Sequence, residues 1–126
     1  MRDKVISSKQ WRESFVQRLL KFGVAVIRLT NKFPKTPAGF AIASQLIRSA
    51  TAIGANFVEA QDASSARDFV QKLSIALREA RETIYWLQIV QMSGLVSETL
   101  LTESIKENNE IIAVLVTSVK SSKLKI

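Results

Sequence analysis

The chain has 126 residues, of which 47% are hydrophobic and 23% are charged, and its formal net charge at pH 7 is +7. This balance is ordinary for a single globular domain and argues against disorder. The chain contains neither cysteine nor histidine, which excludes disulfides, Cys–His and Ser–His–Asp catalytic sets and most zinc sites.

The positive charge is concentrated at the start of the chain. Residues 1–36 contain nine of the 18 lysines and arginines and only two acidic residues, so this segment carries the whole net charge. A polyanion is the natural partner of such a segment. The alternative is that these charges are only solvated and keep the protein soluble.

No stretch of the sequence predicts a targeting signal or a membrane span. Residues 1–10 are polar, and the apolar runs at 22–27 and 111–119 are much shorter than the roughly 20 residues that a spanning helix needs. We therefore expect a soluble, cytoplasmic protein without a membrane partner.

The first predicted helix covers about residues 8–31, and Ser7 or Ser8 can cap its start. Its apolar residues follow one another at steps of four and three, which is the spacing of a helix seam that faces a core. They are Phe15, Leu19, Phe22, Val26 and Leu29. The basic residues Arg18, Lys21, Arg28 and Lys32 cover an outer arc, which predicts a stripe that an anion can contact.

The second predicted helix covers about residues 37–60. Pro34 cannot continue the first helix, and Thr36-Pro37 reads as an N-cap followed by proline at the first helical position. The seam of this helix has steps of three and four, and a second apolar ridge beside it indicates a helix deep in a bundle or at a subunit contact. The seam residues are Ala43, Leu46, Ala50, Ile53 and Phe57.

Two further helices are predicted at about residues 66–93 and 97–121. Ser65 with Asp68 fits a capping box, Gly94 is the expected left-handed C-cap residue, and Ser97 can cap the last helix. The expected seams are Phe69, Leu73, Ala76, Ala80, Thr83, Leu87 and Val90, and then Leu101, Ile105, Asn108, Ile112, Leu115 and Val119. Four helices with short connections predict an all-α, up-down-up-down antiparallel four-helix bundle that forms one domain over residues 1–126.

The sequence offers little catalytic or metal-binding chemistry. A di-metal centre in a helix bundle needs inward glutamates and Glu-x-x-His pairs, and the comparable feature here is Glu79-x-x-Glu82 without histidine. No Gly-rich phosphate loop or nucleophile elbow accompanies these carboxylates. We expect no enzyme activity, no cofactor, no metal and no small-molecule substrate.

Polar and charged residues of complementary character face one another across the second and third helices. We interpret them as an interhelical or subunit interface, with a solvated face or a ligand site as the alternatives. Trp86 points partly outward and can anchor a subunit contact. The predicted interface residues are Gln45, Arg48, Asn56, Glu59, Arg78, Glu79, Glu82 and Trp86.

Several stretches resemble a bacterial four-helix-bundle family. They are Phe33-Pro34, Gly39, residues 45–50, Ile53-Gly54-Ala55-Asn56 with Glu59, and then Phe69, residues 73–77, Glu79, Glu82 and Tyr85-Trp86-Leu87. The family includes the proteins encoded in 23S ribosomal RNA intervening sequences and the accessory variability determinant of diversity-generating retroelements. The chain departs from the family pattern at Phe57-Val58-Glu59-Ala60, where Ile-Ala-Glu-Gly is common, and at Arg78-Glu79, where Gly-Ser is frequent.

The resemblance implies a homopentamer, built as a barrel of bundles with a central channel and a basic surface. In the retroelement branch, such a barrel is a partner of a reverse transcriptase and binds nucleic acid. The leading hypothesis is therefore a non-enzymatic, ring-like oligomer that associates with RNA, DNA or an RNA–protein complex. Its predicted phosphate contacts are Arg12, Arg18, Lys21, Arg28 and Lys32. The alternative is a scaffold that binds protein and does not contact nucleic acid directly.

Overall fold

A computed structural model describes residues 8–126 and folds them into four α-helices. They are α1 (Ser8–Thr30), α2 (Pro37–Gln61), α3 (Ala66–Ser93) and α4 (Glu98–Lys123). No strand occurs within this range, and each helix begins and ends within two residues of the bounds expected from the sequence. The first seven residues of the predicted domain, including the candidate cap Ser7, lie outside the described residues.

The helix starts follow from local side-chain chemistry. The Thr36 hydroxyl accepts a hydrogen bond from the Gly39 backbone N–H at 3.1 Å, directly before Pro37. Ser65 accepts from the Asp68 N–H at 3.1 Å, but the Asp68 carboxylate accepts at 3.0 Å from the N–H of Ser64. The capping box of α3 therefore reaches one residue further back than a standard box does.

The four helices pack in a cycle in which consecutive helices contact each other and α4 closes the cycle against α1. α2 and α3 share the largest contact and α1 and α4 the smallest, whereas α1 and α3 face each other diagonally, as do α2 and α4. Short connections between consecutive helices make neighbouring helices antiparallel. The predicted all-α, up-down-up-down four-helix bundle is confirmed.

The core follows the predicted seams of α1 and α2 closely and those of α3 and α4 with shifts. On α3, Val70 is buried and Phe69 only half-buried. On α4, Ser104 and Ile111 are buried, whereas Ile105 and Ile112 are half-buried against the core. Hydropathy favoured the isoleucines at 105 and 112, but α4 is rotated so that the small Ser104 comes inside.

A layer of polar side chains crosses the apolar core. Ser49 of α2, Thr83 of α3 and Asn108 of α4 are all 0% exposed. The hydroxyl oxygens of Ser49 and Thr83 are 2.9 Å apart, and the Asn108 side-chain amide donates to the carbonyl oxygen of Ala80 at 3.0 Å. Because buried polar groups are costly unless they are paired, these bonds favour a single axial register of α2, α3 and α4.

Gly39 fixes the corner between α1 and α2. It is buried in the first turn of α2, and a Cβ atom at this position would overlap the backbone carbonyl oxygen of Pro34. The close approach of the loop to the helix therefore requires a residue without a side chain.

We expect Gly39→Ala to destabilise the bundle by about 1–3 kcal/mol, the usual cost of inserting atoms into a packed site. This loss would appear although alanine favours helix by about 1 kcal/mol over glycine. Urea unfolding followed by far-ultraviolet circular dichroism would measure it. The control is Ala41→Gly at an exposed position of the same helix, which should cost at most about 1 kcal/mol. A Gly39→Ala variant as stable as the wild type would contradict the steric explanation.

Candidate nucleic-acid interface

Three basic residues lie in one line along the outer face of α1 and the turn that follows it. Lys21, Arg28 and Lys32 are exposed and follow one another at steps of seven and four. This spacing places Lys21 and Arg28 within a narrow sector of α1, and Lys32 continues the line in the turn after Thr30. No carboxylate lies within 4 Å of their charged groups among residues 8–126. We call these three residues the α1 basic line.

Arg12 lies outside the α1 basic line. It is half-buried near the start of α1 and, with Lys9 and Gln61, lines a shallow groove at the α2 side. The structure therefore does not bring Arg12 together with Lys21, Arg28 and Lys32. The helical spacing already separates them, because Arg12 precedes Lys21 by nine residues, or two and a half turns.

Arg18 is an ion-pair residue between α1 and α4. Its guanidinium donates to both carboxylate oxygens of Glu107, at 2.6 and 2.8 Å, and to Glu110 at 2.7 Å. The hydrogen bonds to Glu107 are the main cause that raises the pKa of Arg18. Its charge is balanced within the protein, and the pair bridges the smallest helix contact of the bundle. The sequence did not predict this use of Arg18.

An apolar surface runs along α1 on its α2 side, next to the α1 basic line. Leu20, Val24 and Ile27 of α1 and Val58 of α2 are large hydrophobic residues that stay exposed. With smaller residues of both helices they line a groove of about 390 Å³. The smaller residues are Gly23, Thr51, Gly54 and Ala55. We call this surface the α1–α2 groove.

A charged network joins α2 to α3. Arg48 pairs with Glu79 at 3.3 Å and also with Glu82, and its Nε atom is 3.4 Å from the Gln45 side-chain oxygen. The indole N–H of Trp86 donates to Glu82 at 2.9 Å. Five of the predicted interface residues thus contact one another between two helices of the same chain.

The other three predicted interface residues lie apart from this network. Asn56 is half-buried and donates to the Ala52 carbonyl oxygen of its own helix at 2.8 Å. Glu59 and Arg78 are exposed, and neither has an ion-pair partner within 4 Å in the described part of the chain. The network is therefore centred on Arg48, and the remaining polar residues of α2 and α3 face elsewhere.

The network shifts the ionisation of its members. The hydrogen bond from Trp86, followed by that from Arg48, lowers the pKa of Glu82 below its ordinary value of 4.5. The same contact with Glu82 is the main cause that raises the pKa of Arg48. Glu82 is therefore ionised at neutral pH, and its contact with Arg48 holds it towards α2.

The sequence profile of the family described as "23S rRNA-intervening sequence protein" matches residues 13–117. The chain belongs to this family.

A solved structure agrees with this membership. The crystal structure of a protein of unknown function from the S23 ribosomal protein family of Bacteroides thetaiotaomicron VPI-5482 is 33% identical to the chain, with a TM-score of 0.78. The alignment covers 83% of this chain and 97% of that one. No curated protein sequence matches the chain at a significant level.

The described part of this family member lacks both a cluster of metal-ligating side chains and a membrane-spanning helix. No group of three or more acidic residues that could hold a metal ion occurs in the part that the structure describes. Among residues 8–126, no helix is both long enough and apolar enough to cross a membrane.

The lowered pKa of Glu82 predicts a pH dependence of stability. A carboxylate with a depressed folded-state pKa stabilises the fold above its unfolded value, and the contribution is lost as the pH falls through the folded-state pKa. We expect Glu82→Gln to be less stable than the wild type at neutral pH and to lose less stability between about pH 5 and pH 2. Denaturant midpoints across this range would measure the difference.

The matched control is Glu103→Gln, which removes an exposed carboxylate that has no ion-pair partner within 4 Å among residues 8–126. Its stability profile should run parallel to that of the wild type. Parallel profiles for Glu82→Gln and the wild type would show that the ionisation of Glu82 does not contribute to stability.

Proposed function

We propose that this protein is a non-enzymatic, oligomeric RNA-associated protein that contacts the phosphate backbone through the α1 basic line. The observation that carries the proposal is that Lys21, Arg28 and Lys32 are exposed and have no carboxylate within 4 Å among residues 8–126, whereas Arg18 is neutralised by α4. Family membership supports RNA as the polyanion, because the family is described by a ribosomal RNA intervening sequence.

The α1 basic line suits backbone contacts that do not read sequence. From Lys21 to Arg28 the helix rises about 10 Å, and Lys32 follows in the turn beyond Thr30. A nucleic-acid strand presents several phosphates along such a length. Lysine and arginine bind phosphates chiefly through charge, so affinity should depend strongly on salt. A cytoplasmic location, where ribosomal RNA is found, is part of this proposal.

The absence of enzyme activity is part of the same proposal. Without histidine or cysteine in the sequence, the usual bases and thiol nucleophiles are missing. The acidic residues best placed to act together, Glu79 and Glu82, are both bound to Arg48. Binding is therefore the function that these residues support.

We also propose that a second copy of the chain covers the α1–α2 groove. The groove combines protruding side chains such as Leu20 and Val24 with small exposed residues such as Thr51 and Ala55, so the helix of another copy can approach closely. A ring of five copies is the assembly expected from the family resemblance. A reverse transcriptase is the protein partner expected if the chain belongs to the retroelement branch.

The RNA proposal predicts a position-dependent loss of binding. Changing Lys21, Arg28 and Lys32 together to glutamine should weaken binding to a structured RNA and reduce the slope of log affinity against log salt by about 2–3, because three phosphate contacts are lost. The control changes Lys106, Lys120 and Lys123 of α4 to glutamine, which alters the net charge equally. Equal effects of the two triple variants would refute a specific role of α1.

The oligomer proposal predicts that Leu20→Asp combined with Val24→Asp yields a monomer. These side chains are 57% and 45% exposed in the single chain, so the substitutions should leave the helical fold intact while placing charge in the subunit contact. Light scattering would give the mass and circular dichroism the helix content. Leu100→Asp, at an exposed apolar residue of α4, should keep the wild-type mass. A wild-type protein that is already monomeric would rule out the contact.

A further inference from the structure

The outer face of α3, directly opposite its core seam, carries a second row of basic and polar side chains. The row consists of six exposed residues spaced by three, four or seven positions, and we call it the α3 stripe. Its members are Arg67, Gln71, Arg78, Arg81, Tyr85 and Gln88. It extends along about 31 Å of the helix, from the first turn to near the end.

No acidic residue belongs to the α3 stripe, because the acids of α3 are held to one side. Asp68 pairs with Lys72 at 3.2 Å, and Glu79 and Glu82 are bound to Arg48 of α2. Within residues 8–126, Arg67, Arg78 and Arg81 have no carboxylate within 4 Å. Three guanidinium groups therefore face solvent with their charge uncompensated.

Tyr85 adds an aromatic surface to these charges. Its side chain is 54% exposed, and its ring meets the neighbouring Trp86 ring edge-on, with centroids 5.2 Å apart and planes at 72°. Trp86 is half-buried and fixed by its hydrogen bond to Glu82, so it positions Tyr85. An edge-on contact with one ring covers at most one face of the other, which leaves Tyr85 able to stack on a flat partner.

We propose that the α3 stripe binds single-stranded nucleic acid, with Arg67, Arg78 and Arg81 on phosphates and Tyr85 stacked on a base. An aromatic ring can stack only on a base that is not already paired within a duplex, which selects a single strand. Gln71 and Gln88 can donate and accept hydrogen bonds along the same path. This inference rests on the proposed function for the kind of partner but uses a different helix from the α1 basic line.

The test measures binding of fluorescently labelled 20-nucleotide oligouridine and oligothymidine to the full chain by anisotropy at fixed salt. Tyr85→Ala should weaken binding of both strands about tenfold, because the stacking of one base on the aromatic ring is lost. Tyr85→Phe should bind like the wild type because it keeps the ring. Arg78→Gln with Arg81→Gln should weaken binding and reduce its salt dependence. Tighter binding of oligouridine than of oligothymidine would identify RNA as the ligand. Equal binding of the two would show that the site contacts phosphates and bases but not the 2′-hydroxyl groups.

The glutamine variant of Lys21, Arg28 and Lys32 separates this inference from the function proposed above. This triple variant should bind structured RNA more weakly than the wild type does. Adding Tyr85→Ala to it should still weaken the binding of single-stranded oligonucleotides about tenfold. If Tyr85→Ala and the double arginine variant bind both oligonucleotides as tightly as the wild type, the α3 stripe is not a binding site. If polyglutamate competes as effectively as oligouridine, the stripe recognises charge alone and the assignment to single strands is wrong.

Discussion

The contact of Arg48 with Glu79 and Glu82 organises the α2–α3 side of the molecule. It lies on the most extensive helix contact, between α2 and α3, above the buried pairing of Ser49 with Thr83. By drawing both carboxylates towards α2, it strengthens the α2–α3 contact and removes negative charge from the outside of α3. A network of this type at a half-exposed site contributes modestly to stability and more to the alignment of the two helices.

The basic residues of α1 and of the turn after it have two different uses. Arg18 is committed to Glu107 and Glu110 and closes the weakest side of the bundle, whereas Lys21, Arg28 and Lys32 stay free on the neighbouring sector. The apolar α1–α2 groove lies on the other side of this line. The structural ion pair, the basic line and the apolar surface thus lie on three different sectors around the axis of α1.

The fold could be predicted from the sequence because the residues at the helix ends are distinctive. Thr36-Pro37, Ser65 and Gly94 mark helix ends by side-chain chemistry and backbone conformation, and the three–four spacing identifies each apolar face. Details of packing were not readable, since hydropathy cannot show that α4 turns Ser104 inward in place of Ile105.

The candidate sites were harder to predict because the residues that contact one another there are far apart in the sequence. Arg18 and Glu107 are 89 residues apart, and no local pattern connects them. Arg48, Glu79 and Glu82 were recognisable as complementary charges on adjacent helices, yet grouping Arg78 with them hid its place beside Arg81 and Tyr85 on the outer face. The spacing of Arg78, Arg81 and Tyr85 in the sequence already places them on one face of α3. Only the structure shows that Glu79 and Glu82 turn away from this face towards Arg48.

The diagonal placement of α1 and α3 has a consequence for valence. Their outer faces point away from each other across the bundle, so one strand cannot lie straight along both. A chain that used both faces would therefore be bivalent within a single copy. Such a protein would bridge two nucleic-acid segments when they are in excess over binding faces, and would coat them separately when protein is in excess.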